Sequence, residues 1–294
     1  MKKRASFFLR IIISGGLLVY LLHRVEVASL ATALRSYSPL WWIAGFIVYA
    51  AFQGLSVLRW QIICQYLGLQ QSYRFFLRLY LVNMYFNTIL PGIMGGDVVR
   101  SYYLYREGLR ARESGASVLF DRGAGLAGLC FILVVVLPPW GSFLPSHLRK
   151  IIFLWAAAGV LAGGGVSLWA TFFSRKFPYL EPLRLPQALG IFLLGLGVQL
   201  LYILQFVVMA RGLDLKLPWS DFLVIVPVTS FLTSLPVTLG GLGVREASLM
   251  YFMSLRSVPQ EKALLLGLLV YSVILAGALP GAYLYLKGLR SARA

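Results

Sequence analysis

The sequence predicts an all-α polytopic membrane protein: about six full transmembrane helices, two re-entrant broken-helix hairpins, and an inverted-topology repeat relating the two halves. Three observations carry that expectation. The 294 residues are 59% hydrophobic and 13% charged, with a mean hydropathy of +0.79, a composition outside the range of soluble domains. Apolar runs of the roughly 20 residues needed to cross a bilayer recur along the chain. A thirteen-residue pattern appears twice, 145 positions apart, and interrupts an apolar run each time.

The first run, 6–22, follows Lys2, Lys3 and Arg4; no small-x-small cleavage site comes after Leu22, so it reads as an uncleaved anchor. Further full spans are expected at about 39–58, 114–137, 150–171, 188–210 and 263–286. Two more runs, 75–93 and 219–240, end in the repeated pattern T-x-L-P-x3-G-G-x2-V-R, which covers Thr88 to Arg100 and Thr233 to Arg245 with seven identities in thirteen. Pro lacks a backbone donor and a Gly pair tolerates dihedrals other residues avoid, so each copy should break its helix.

Charge placement decides how the broken segments run. If each enters and returns on one side, Lys2, Lys3, Arg4 and Arg10, the loop set Arg59, Arg74, Arg78, Arg100, Arg106, Arg110 and Arg112, the loop cations Arg175, Lys176 and Arg184, and the C-terminal Lys287, Arg290 and Arg293 share the cytoplasmic face, which then holds most of the cations. Full crossing would move the Arg100 to Arg112 cluster outside and weaken that bias, so the positive-inside rule favours re-entrant hairpins and cytoplasmic termini in a multi-pass protein of the inner membrane. Three spans separate the two motifs, so they face opposite ways. The chain therefore reads as one membrane domain, 1–294, with inverted repeats at about 1–145 and 146–294, and substrate sites in such designs lie where paired broken helices meet.

The net charge of +17 belongs to these short loops and not to a basic run interleaved with aromatics, so nucleic acid is excluded as a partner. Anionic lipid headgroups are the expected partners instead. Two cysteines and two scattered histidines make no disulfide framework or metal-ligand pattern. No P-loop or HExxH is present, so no cofactor, no direct ATP drive and no catalytic residue is expected.

After Gly95-Gly96 and Gly240-Gly241 a new half-helix can begin, with unpaired amides and a positive dipole end. Arginine in that first turn suits an anion, and Arg presents a bidentate fork to phosphate. Arg100, Arg245, Gly95, Gly96, Gly240, Gly241 and Arg122 are therefore candidate lipid-phosphate-binding residues. Asp97, Asp121, Glu246, Glu113, Asn87, Thr88 and Thr233 are candidates to line the cavity, with Asp121, Glu246 and Glu113 available for proton exchange if transport is ion-coupled. The competing structural reading pairs Arg100 with Asp97 three residues earlier on the same helix face.

The sequence Asn87-x3-Pro91-x3-Gly95-Gly96-Asp97-x2-Arg100, then Asp121-Arg122-Gly123, then Pro236-x3-Gly240-Gly241-Leu242-Gly243-x2-Glu246 resembles the flippase-like membrane region of lysylphosphatidylglycerol synthases, which also occurs as stand-alone membrane proteins. The resemblance spans nearly the whole chain. It implies movement of lipids between leaflets, with Arg100, Arg122 and Glu246 as matched positions. With only a few residues following Leu286, no soluble synthase domain is expected, so the resemblance implies transport without synthesis, with lipid-synthesis enzymes as candidate partners. The expected function is a flippase for an anionic or phosphate-bearing lipid, whether polyprenyl-phosphate, glycolipid or aminoacyl-phospholipid. The alternative is a membrane transferase or phosphatase acting on a polyprenyl-phosphate lipid.

Overall fold

The computed structural model describes residues 2–89, 95–234 and 241–288, with the backbone alone for 2–11 and Ile89. The described residues are helical, without a strand. In order they form α1 (Lys2–His23), α2 (Val27–Ser36), α3 (Pro39–Tyr66), α4 (Tyr73–Ile89), α5 (Gly95–Arg106), α6 (Ala111–Trp140), α7 (Ser146–Phe173), α8 (Leu185–Gly212), α9 (Trp219–Ser234), α10 (Val244–Ser254) and α11 (Gln260–Leu286), with 3₁₀ turns at Gly141–Phe143 and Pro178–Leu183.

Five helices, α3, α6, α7, α8 and α11, are long and apolar enough to cross a membrane alone, and six spans result if α1 from Ile12 is taken with α2. That pair bends by 92°. Helix α2 is a departure from the sequence expectation, which left 23–38 as a loop. Its ten residues are too few to register as a span, and its polar face carries Arg35. The spans also run longer than expected: α3 continues to Tyr66, so Arg59 lies inside a helix and is buried, not in a loop.

Local chemistry sets several helix starts. Pro39 occupies the first turn of α3, and the Ser38 side chain accepts from the Leu40 amide. At α6 the Glu113 carboxylate accepts the Arg110 amide at 3.2 Å, one half of a capping box.

The hairpins fold back. Helices α4 and α5 have 17 and 12 residues, and α9 and α10 have 16 and 11. At 1.5 Å per residue each arm is about 25 Å or less, short of a bilayer core of about 30 Å. In the first hairpin, Phe76 near the start of α4 shares one buried cluster with Leu104 near the end of α5, Leu109 beyond it, and Trp60 of α3. In the second, Asp221 in the first turn of α9 is ion-paired at 2.7 Å to Arg256 just past α10. The outer ends of each hairpin therefore meet.

Packing comes in matched pairs. Helices α3 and α8 lie together at the centre; α4 packs on α11 as α9 packs on α6, and α5 packs on α6 as α10 packs on α11. Each hairpin thus seats its first arm on the last span of the other half. Close crossings use glycine: a Cβ at Gly195 would sit 2.6 Å from the Ala124 carbonyl oxygen of α6, and one at Gly128 would sit 3.1 Å from the Gly195 backbone. Gly163, Gly164 and Gly165 of α7 have nothing within 4 Å of an added Cβ among the described residues.

Candidate functional site

The two copies of the repeated motif end in different environments. In the first half, Arg100 of α5 lies between two carboxylates, its Nε 3.0 Å from Asp97 Oδ1 and its Nη1 2.9 Å from Asp121 Oδ2 of α6. Asp121 also accepts from Arg59 Nε of α3 at 2.8 Å, and Asp97 also pairs with Arg122. The chain Arg59–Asp121–Arg100–Asp97–Arg122 is buried except at Arg122, whose side chain is 34% exposed. The Arg100 guanidinium stands 5.0 Å from the Trp60 ring centroid and 5.7 Å from that of Tyr80, within cation–π range. Three cations and two anions on α3, α5 and α6 tie the first hairpin to its own half.

Asn87 secures the turn of that hairpin. Its Oδ1 accepts the Gly96 amide at 3.0 Å, which satisfies a first-turn donor of α5. A Cβ at Gly96 would collide with the Asn83 carbonyl and stand 2.8 Å from Asn87 Oδ1, so only glycine allows α4 and α5 to approach this closely.

In the second half the arginine lines a cavity. A space of about 310 Å³ is bounded by Tyr49, Phe52 and Gln53 of α3, Met84, Asn87 and Thr88 of α4, Ser230, Thr233 and Ser234 of α9, Arg245 of α10, and Tyr271 and Ile274 of α11. Thr88 and Thr233, the opening residues of the two motif copies, share it. Arg245 lies 5.6 Å from the Tyr271 ring centroid. It is the one charged residue among the lining residues described. The remaining polar groups are neutral amides and hydroxyls, and this size and mixed lining suit a small-ligand site.

The backbone presents Arg245 there by an unusual helix start. Gly241 and Gly243 have φ of +78° and +86°, in the left-handed region where glycine has no side-chain penalty. Helix α10 follows, and Glu246 Oε2 accepts the Gly243 amide at 2.6 Å. Glu246 is fully buried and faces Gly267 of α11, whose added Cβ would meet its side chain at 2.9 Å. An arginine and a glutamate adjacent on a helix point about 100° apart, and only the first reaches the cavity.

The expected site residues therefore divide. The cavity gathers Arg245, Thr88, Thr233 and Asn87. Arg100, Arg122, Asp97 and Asp121, placed by sequence at a phosphate cradle or polar cavity, form the ion chain instead, because the partner carboxylates converge on Arg100. Gly95 opens α5, and Gly96 makes helix contact with its amide already bound by Asn87. Glu246 and Glu113 cap α10 and α6. Gly241 supplies the turn before Arg245, and Gly240 lies outside the described residues. Sequence reasoning missed Arg59, Tyr49, Ser230 and Tyr271 as parts of either cluster. Arg59 alone left a signal, a cation beside Trp60 with apolar residues on both sides.

The lysylphosphatidylglycerol synthase TM region matches the chain over residues 7–281. The chain belongs to that family. No curated protein matches it. As a member of the TM-region family it is a multi-pass membrane protein of lipid metabolism or transport, and the match covers both hairpins, the ion chain and the cavity.

Proposed function

We propose that the protein is a flippase: it moves a phosphate-bearing anionic lipid between leaflets of the cytoplasmic membrane, with the headgroup passing through the cavity between the hairpins and the acyl chains left in the bilayer. The observation that carries this reading is the cavity shared by Thr88 and Thr233 from the two broken helices, with Arg245 as its cation. Broken helices meeting between repeats are the usual place for a transported group, and guanidinium with neutral donors suits phosphate. In this reading the halves are inverted repeats with both termini cytoplasmic, and they rock about the α3–α8 contact. The ion chain holds the first hairpin to its half during that motion.

Proteoliposomes with a fluorescent phosphatidylglycerol in both leaflets test it, with dithionite quenching reporting accessibility and mass spectrometry reporting the lipid's mass. The expected result is leaflet exchange well above protein-free vesicles with mass unchanged. Arg245→Gln removes charge-assisted hydrogen bonds of about 1.5–3 kcal/mol, roughly ten- to hundredfold in the apparent affinity. A lipid product of altered mass would instead support the transferase or phosphatase reading, and exchange indifferent to Arg245→Gln would remove the cavity from the mechanism.

A further inference from the structure

The charge of the cavity restricts which headgroup it takes, and this inference rests on the cavity being the headgroup site. All ten acidic residues of the chain fall among the described residues. None of the ten carboxylates lines the cavity.

The buried acids are all committed elsewhere. Asp97 and Asp121 lie in the ion chain, Asp221 holds Arg256 at the base of the second hairpin, and Glu246 caps Gly243 and faces Gly267. The others, Glu26, Glu107, Glu113, Glu181, Asp214 and Glu261, stand at helix ends or in connections. The Arg245 guanidinium stands 5.6 Å from the Tyr271 ring centroid. A buried ammonium with no carboxylate partner is costly, and beside a fixed guanidinium it also meets like-charge repulsion. What the cavity does offer beside Arg245 is a set of neutral groups: Gln53, Asn87, Thr88, Ser230, Thr233 and Ser234. Hydroxyls are the natural complement of such a set.

We infer that the cargo carries one phosphate joined to a neutral, hydroxylated group such as glycerol or a sugar, and that aminoacylated or other amine-bearing headgroups are rejected. The cavity thus departs from the cationic lipid that gives the family its name, and the discriminating feature is the absence of a carboxylate opposite Arg245.

Native mass spectrometry of the full chain in C8E4 micelles, titrated separately with short-chain phosphatidylglycerol and short-chain lysylphosphatidylglycerol, tests this. Phosphatidylglycerol should bind at least about tenfold more tightly, and Arg245→Gln should abolish that preference. Gln53→Glu, a near-isosteric change at the cavity wall that leaves Arg245 in place, should weaken phosphatidylglycerol and strengthen the lysylated lipid, reversing the order. If the unaltered protein binds the lysylated lipid equally or more tightly and Arg245→Gln weakens that binding, the charge selection is overturned while the headgroup site stands. If neither substitution changes the binding of either lipid, the cavity is not the headgroup site and both readings fall.

Discussion

Asp121→Asn removes the negative charge that separates two buried guanidiniums. Asp121 holds Arg59 at 2.8 Å and Arg100 at 2.9 Å, and all three side chains are 6% exposed or less. Arg100 keeps Asp97 after the substitution, whereas Arg59 loses its one ion-pair partner among the described residues. Breaking a buried pair by neutralising one member costs about 3–5 kcal/mol, close to the ~4 kcal/mol of attraction between unit charges about 4 Å apart at an effective dielectric of about 20. At roughly 2–4 °C per kcal/mol for a chain of this size, Tm should fall by about 6–20 °C. Asp97→Asn is expected to cost less, because Arg100 retains Asp121 and the partly exposed Arg122 can hydrate. Thermal unfolding in detergent, followed by tryptophan fluorescence, gives the ranking. Adding Arg59→Met to Asp121→Asn removes the stranded cation and should recover part of the loss. An Asp121→Asn protein that unfolds within ~2 °C of the parent, or no earlier than Asp97→Asn and with no recovery on adding Arg59→Met, would refute charge compensation as the role of this chain.

Gly96→Ala places a methyl against the Asn83 carbonyl and Asn87 Oδ1 and should destabilise by about 1–3 kcal/mol, whereas Gly123→Ala, with open space around its Cβ, should be neutral or stabilise by up to ~1 kcal/mol; the same unfolding assay compares them, and equal effects would contradict the close α4–α5 contact. Arg256→Met leaves the fully buried Asp221 without its cation, so hydrogen exchange should accelerate at the start of α9 and the end of α10 while the first hairpin is unchanged; uniform exchange would show that this pair does not close the hairpin. Leu242→Asp adds a carboxylate in the turn just before α10, close in sequence to Arg245, and should lower phosphatidylglycerol binding about tenfold by intramolecular competition for the guanidinium. Unchanged binding in the native mass spectrum would argue against Arg245 as the phosphate contact.

The membrane class and its spans were legible because a bilayer imposes a length and an apolar composition that local sequence must satisfy. Span ends were less so. The last turns of α3 carry Arg59, Gln61 and Gln65, which lower hydropathy below that of a lipid-facing helix even though Arg59 is buried against Asp121. Helix α2 escaped because ten residues with polar flanks resemble a loop by composition. At the site, the motif pointed to Thr88, Thr233 and Arg245 because backbone breakage leaves a local signature. Tyr49 and Tyr271 lie on two other stretches of chain, α3 and α11, and nothing in their local spacing marks a common cavity. Their convergence follows from α4 seating on α11 and α9 on α6, a tertiary fact.

The same uncertainty applied to Arg100, for which pairing with Asp97 and contact with an anion were both open on local grounds. The contribution that decided it comes from α6: Asp121 is 21 residues from Arg100 and reaches it only through the packing of α5 on α6. In the second copy the 145-residue offset puts Leu242 where Asp97 stands, and Leu266 and Gly267 where Asp121 and Arg122 stand. The repeated backbone break therefore carries two different electrostatic outcomes. One arginine is neutralised within the protein and fixes a hairpin; the other is placed on a cavity wall without those carboxylates. An anion site needs a cation whose charge is not cancelled by neighbouring carboxylates, and leucine and glycine at the positions of Asp97, Asp121 and Arg122 leave the lining around Arg245 without the carboxylates of the first copy.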